Sequence, residues 1–158
     1  MICSSLKTSL LALVFVFAGF SGNAQAGSSE YYTTFMGNAA VGGFDTVAYF
    51  TMGKAVKGKR KYSWEWAGVN WRFVSRDHLE MFKANPEKYA PKYGGHCAWA
   101  VSEKGMLYRG SPQHWKIIDG NLYLNHNPSI NKRWLKDFQS HIEKADVQWP
   151  ALKEKYIP

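Results

Sequence analysis

The sequence predicts an α+β fold, in which small antiparallel β-hairpins pack with helices in a ββα core and a helical extension follows at the C-terminus. Three observations carry that prediction. Between Lys61 and Phe73 large side chains recur at every second position, as Tyr62, Trp64 and Trp66 and then Val69, Trp71 and Phe73, on either side of Ala67 and Gly68. A period of two interrupted by a turn is the pattern of a hairpin with one buried face. Asp119–Gly120 separates Trp115 to Ile118 from Leu122 to Leu124, and this dipeptide suits a two-residue type I′ turn because both central residues must take positive φ. Asn127 and Pro128 precede Ile130, Trp134, Leu135, Phe138 and Ile142, so a capped helix with one apolar stripe is expected there.

The intervening segments follow from the same rules. Gly27 to Asn38 is polar with scattered aromatics and is expected along the surface, and Gly42 and Gly43 turn the chain into an apolar segment ending at Phe50. Ser75 is placed to cap a helix over residues 76–84, with Leu79 and Phe82 on one face and Asn85–Pro86 closing it. After the Gly94–Gly95 break, Cys97 to Val101 reads as a short apolar element. The tail from Asp146 to Pro158, with Trp149–Pro150, is expected to fold back over the core. No repeat or low-complexity tract divides the chain, and 7 Trp, 9 Tyr and 9 Phe supply large apolar area for one domain.

The N-terminus is different in kind. Met1 to Lys7 is short and mildly basic, and the apolar run from Leu10 to Phe20 falls well short of the roughly 20 residues that span a bilayer. With Ala24-Gln25-Ala26 behind it, this stretch reads as a signal peptide over residues 1–26, removed to leave a single domain at 27–158 in the periplasm or secreted, with no transmembrane anchor. The chain carries 20 Lys and Arg against 12 Asp and Glu, a net charge of +8. Export argues against nucleic acid as its partner. Cys3 departs with the signal, so Cys97 stands without an intramolecular disulfide partner in an oxidising compartment.

Three stretches together resemble the YHS domain family in its secreted, stand-alone form: Gly43-Phe44-Asp45-Thr46-Val47-Ala48-Tyr49-Phe50, Trp71-Arg72-Phe73-Val74-Ser75 running on to Phe82-Lys83-Ala84-Asn85-Pro86-Glu87-Lys88-Tyr89, and Tyr93-Gly94-Gly95-His96-Cys97-Ala98-Trp99-Ala100-Val101. The resemblance implies a YHS core over about residues 42–101, and Leu122 to Asn125 with Ala145 to Pro150 look like the extension of exported members. Members of the family occur as appendages of copper and heavy-metal transport ATPases, with cysteines as presumed ligands. At the corresponding positions this chain has Ala48, Val74 and His78, so that thiolate site cannot form and folding is expected to proceed without metal.

Metal handling therefore rests on other residues. Cys97, His96 and His126, with His114 as a fourth candidate, form a thiolate and imidazole set suited to copper or zinc. In a regular strand His96 and Cys97 would point to opposite faces, so the set requires an irregular turn at Gly94 and Gly95. Three other readings stay open. The first is a metal-free module for a small ligand or a protein partner, with Cys97 merely buried. The second is a Cys/His-dependent enzyme with Cys97 as nucleophile, one of the histidines as base, and Asp45 or Asp119 as orienter; Asp45 serves more simply as a helix cap and Asp119 as a turn residue. The third is a weak contact of Lys54, Lys57, Lys59, Arg60 and Lys61 with an anionic lipid surface, against a solvated loop. His78 is expected against its helix cap and His141 toward solvent.

Export gives the first prediction. Intact-mass measurement of protein released by osmotic shock should return a chain beginning at or near Gly27; a membrane-bound species retaining residues 1–26 would remove the signal-peptide reading.

Overall fold

A computed structural model of the chain describes residues 29–34 and 38–157, and the signal segment expected over residues 1–26 lies outside them. The architecture is α+β, with two separate two-stranded antiparallel sheets and helices packed on them. The first hairpin joins β1 (Lys59–Trp66) to β2 (Val69–Phe73), with Trp64 opposite Trp71 and Trp66 opposite Val69. Ala67 and Gly68 take φ of 50° and 75° at its turn. Val69, Trp71 and Phe73 are fully buried, while Tyr62, Trp64 and Trp66 pack half-buried against them.

Ser75 caps α2 (Arg76–Ala84) by accepting the His78 N–H at 3.2 Å. The helix lays Phe82 on the hairpin, its ring 4.7 Å from Trp71 and 5.1 Å from Phe73 between centroids. Asn85 closes α2 and caps the short α3 (Pro86–Tyr89) through its side chain. The ββα unit is thus the one its periodicity predicts.

The apolar segment before Phe50 is a helix, α1 (Thr46–Thr51), and Asp45 is its N-cap. Asp45 does more than cap. It is completely buried, and its Oδ1 accepts the Val47 and Ala48 N–H groups at 2.9 and 3.2 Å. Its Oδ2 accepts the Val74 N–H at 2.8 Å and the His78 Nδ1–H at 2.7 Å. One carboxylate so ties the start of α1 to the end of β2 and the first turn of α2. His78, expected only against its cap, is also the side-chain partner of the buried Asp45 carboxylate.

The segment after Cys97 is helical as well: α4 (Ala98–Lys104), entered from extended Cys97 and stopped by Gly105 at φ 56°. Small Ala98 and Ala100 let this helix lie close to others, and Gly105 is the left-handed residue that commonly ends one. The second hairpin pairs β3 (Ser111–Ile118) with β4 (Asn121–Asn125), Trp115 facing Leu124 and Ile117 facing Leu122. Asp119 and Gly120 take φ of 48° and 75°, as a type I′ turn requires.

The single C-terminal stripe is divided between two helices. Asn127 caps α5 (Pro128–Lys136), and Asp137, at φ −150° and ψ 56°, breaks the path and caps α6 (Phe138–Tyr156). Trp134 is buried on α5, Phe138 and Ile142 are half-buried on α6, and Leu135, expected in the stripe, is 38% exposed. The tail does return to the core, as a continuation of α6 that buries Leu152 and packs Trp149. Among the described residues no helix is long and apolar enough to cross a membrane.

Two apolar clusters result. One gathers Val47, Tyr49, Trp71, Phe73 and Phe82, the other Tyr93, Val101, Trp134, Ala145 and Leu152. β4 belongs to both, because Leu122 and Leu124 point into the first and Tyr123 into the second, as alternation along a strand dictates.

Asp45→Ala should lower stability in urea unfolding by about 3–5 kcal/mol, since it leaves His78 and three backbone donors without their acceptor. His78→Gln should lower it by about 1–3 kcal/mol. EDTA should leave the unfolding transition of the parent protein in place; an Asp45→Ala variant as stable as the parent would show that the junction does not organise the fold.

Candidate functional site

Cys97 is set by backbone constraints on both sides. Gly94 takes φ +60°, and a Cβ there would lie 1.8 Å from the Glu30 carbonyl oxygen, so only glycine admits the N-terminal segment this closely. Tyr32 N–H donates to the Gly94 carbonyl at 2.8 Å, and Cys97 N–H to the Tyr108 carbonyl at 2.7 Å. The thiol is 1% exposed and donates to Asn125 Oδ1 at 3.6 Å. That oxygen also accepts the Trp99 N–H at 3.1 Å, and Asn125 Nδ2 donates to Asn131 Oδ1 at 3.1 Å. Asn125, fully buried at the end of β4, therefore fixes the start of α4 against α5. Burial pushes the Cys97 thiol above its ordinary value, with the backbone N–H groups of Ala100, His126 and Trp99 pulling the other way.

A pocket of about 400 Å³ opens above this thiol, lined by Cys97, Trp99, Met106, Tyr108, His126 and Ile130 among others. Met106 and Tyr108 are each 51% exposed at its mouth. His126 Nδ1 lies 3.2 Å from the Arg109 carbonyl. A carbonyl can only accept, so Nδ1 carries the proton and the neutral ring keeps its lone pair at Nε2. The Tyr108 ring meets the same imidazole edge-on at 4.7 Å.

The four ligand candidates do not assemble. Cys97 and His126 share the pocket, but His96 is turned away from it, its ring 6.1 Å from Tyr32 and 6.3 Å from Trp149. The glycines do take left-handed backbone, yet His96 and Cys97 are themselves extended, and consecutive extended residues diverge. His114 lies on β3, outside the pocket lining. Among the described residues no group of three or more His, Cys, Asp and Glu side chains is placed to hold a metal ion.

The other expectations can be placed one by one. Asp45 serves His78 rather than a histidine beside Cys97. His78 Nε2 lies 3.2 Å from Thr51 Oγ1, whose hydroxyl is also within 3.1 Å of the Val47 carbonyl, so the histidine is engaged on both ring nitrogens within this junction. Asp119 remains in its turn, where its carbonyl accepts from Asn121 Nδ2. His141 does not face solvent freely: Nδ1 sits 3.0 Å from Glu103 Oε1 and 3.3 Å from Ser102 Oγ. Lys54, Lys57, Lys59, Arg60 and Lys61 of the basic run are all exposed, and Lys57 donates to the Gly42 carbonyl and lies 4.7 Å from the Phe44 ring.

Two contributors were not anticipated. Met106 follows directly on a glycine stop, and its thioether signals nothing until the pocket is formed. Asn125 gives a weak signal, as a polar residue in register with the buried side of β4. Comparison of the chain with protein-family models, curated proteins and solved structures found no match.

His96 makes the acid limb of stability testable. Burial pushes its imidazole down from 6.5 to about 4, outweighing the opposite pull of the Tyr108 and Glu30 carbonyls, and Nδ1 has no hydrogen-bond partner among the described residues. Between those values the unfolded chain binds a proton that the folded chain refuses, so this contribution is complete above pH 6.5 and is lost as pH falls toward 4. His96→Phe should flatten the decline in urea midpoint between about pH 7 and about pH 5; an unchanged slope would assign it to other groups.

Proposed function

We propose that this protein is an exported binding or accessory module of the YHS type that captures one soft metal ion, Cu(I) before Zn(II), at the Cys97 pocket. The observation that carries the reading is that Cys97 and His126 line one pocket with Met106 at its mouth. Thiolate, imidazole and thioether are the donors that Cu(I) accepts at low coordination number. His126 is already oriented for the task, since its bond to the Arg109 carbonyl leaves Nε2 as the available donor. The walls of Trp99, Tyr108 and Ile130 make the pocket's lining predominantly apolar. His96 and His114 have no part in this site.

The YHS part of the reading rests on the three sequence stretches that resemble the family, from whose pattern Ala48, Val74 and His78 depart. These positions, where the resemblance would place cysteines, all give hydrogen-bond donors to the Asp45 carboxylate.

The apolar walls favour a second reading, in which the pocket takes a small apolar molecule and no metal. Competition titrations with a Cu(I) chelator, on reduced, untagged mature protein, separate the two. One equivalent should bind. Cys97→Ser and His126→Gln should each weaken affinity by about tenfold or more, which is at least 1.4 kcal/mol. Met106→Leu should have a smaller effect, and His141→Ala none. Because burial raises the thiol's affinity for its proton, Cu(I) affinity should climb with pH as that proton is displaced. Equal affinities for the parent and Cys97→Ser would retire the metal reading and leave the apolar-ligand module.

A further inference from the structure

A different cavity, of about 430 Å³, lies between the N-terminal segment, the first hairpin turn and α6. Its aromatic lining comes from Tyr31, Trp66, Tyr93 and Trp149. These form two pairs, Tyr31 with Trp66 at 5.4 Å and Tyr93 with Trp149 at 5.7 Å between centroids. Three carboxylates share the lining, Glu30, Glu87 and Asp146, against the single ammonium of Lys92. In a chain of net charge +8 this is a local reversal of sign. The carboxylates are close enough to act on the rings: burial first, and then Glu30 and Glu87, push the Tyr31 hydroxyl's titration up, and Asp146, accepting the Tyr93 hydroxyl at 2.8 Å, adds to the same effect of burial there.

The chain itself shows how this wall receives a cation. Lys153 Nζ rests 3.8 Å from Glu30 Oε2 and 5.9 Å from the centre of the Trp149 ring, at the rim. The three carboxylates do not converge on a point, since no acidic group among the described residues is arranged to hold a metal ion. Spread carboxylates with aromatic surface between them suit a bulky cation of diffuse charge, which is attracted by ring faces and needs no close ligand shell.

We infer that this cavity binds an alkylated ammonium headgroup, quaternary or tertiary, on a free solute or a lipid. The inference does not rest on the copper reading, because Cys97, Met106 and His126 are absent from the lining.

The test uses the mature protein and choline chloride, followed through the Trp indole N–H resonances at constant ionic strength. The comparison ligand is 3,3-dimethylbutan-1-ol, the neutral isostere of choline. Choline should bind saturably and at least about tenfold more tightly than the isostere, a difference of about 1.4 kcal/mol. Glu87→Gln, at an exposed position, and Trp149→Leu should each weaken choline several-fold. Lys153→Gln should strengthen it, since it withdraws the competing internal cation. Thermal unfolding of each variant identifies any that fail to fold, and Glu87→Gln alone suffices if Trp149→Leu does. Cosedimentation with phosphatidylcholine vesicles would place the headgroup on a lipid; choline binding without cosedimentation would place it on a free solute, and both support the inference. Equal affinity for choline and its isostere, or choline affinity unmoved by Glu87→Gln, would overturn it.

Discussion

The arrangement of this protein depends on one buried anion. The Asp45 carboxylate has no access to water and would be untenable there without compensation. Its compensation is four donors drawn from three elements, the Val47, Ala48 and Val74 N–H groups and the His78 imidazole. Because each donor must be present for the charge to remain buried, α1, the end of β2 and the start of α2 are fixed together. The consequence travels outward along α1. Tyr49, buried one turn further on, sets its ring 4.9 Å from Trp115 and donates its hydroxyl to the Pro112 carbonyl, which positions the second hairpin on the first.

From that hairpin the order passes through β4. Leu122 and Leu124 complete the cluster around Trp71 and Phe82, and Tyr123 enters the cluster around Trp134. A strand covered on both sides cannot slip by one residue without exposing one set of side chains and burying the wrong set. Its last residue, Asn125, then spends its amide on Cys97, Trp99 and Asn131. The Cys97 pocket is in this sense the far end of a path that begins at Asp45: the carboxylate sets α1, α1 sets the hairpin, and the hairpin delivers the amide that holds the thiol.

The two candidate sites differ in what they can accept because their walls differ. The Cys97 pocket offers soft donors in an apolar setting, and the cavity by Trp149 offers aromatic surface under a negative field. His96 stands between them in sequence and structure, adjacent to Cys97 in the chain but packed toward Trp149. Extended backbone at this point separates two neighbouring side chains into two environments, and so turns one expected ligand set into two chemically distinct regions.

The α+β class, both hairpins with their turns, and the caps at Ser75 and Asn127 were legible in the residues themselves. Each depends on interactions within a few positions: the period of two in Tyr62, Trp64 and Trp66, the positive φ required by Asp119–Gly120, a hydroxyl or amide satisfying an N–H three residues on. Other features depend on contacts between residues far apart in the chain, and local pattern says little about these. Whether Ala98 to Val101 became strand or helix was settled by packing on α6, and the apolar stripe was divided because Asp137 turned to cap a second helix. Asp45 announced itself as a cap, but His78 lies 33 residues away in sequence and joins it only when β1 and β2 bring α2 back over α1. The ligand candidates are the clearest case. Sequence named Cys97, His96, His126 and His114 by residue type, and only the path of the backbone decided that Cys97 and His126 face one pocket while His96 faces away, because side-chain direction follows from a backbone conformation that distant contacts impose.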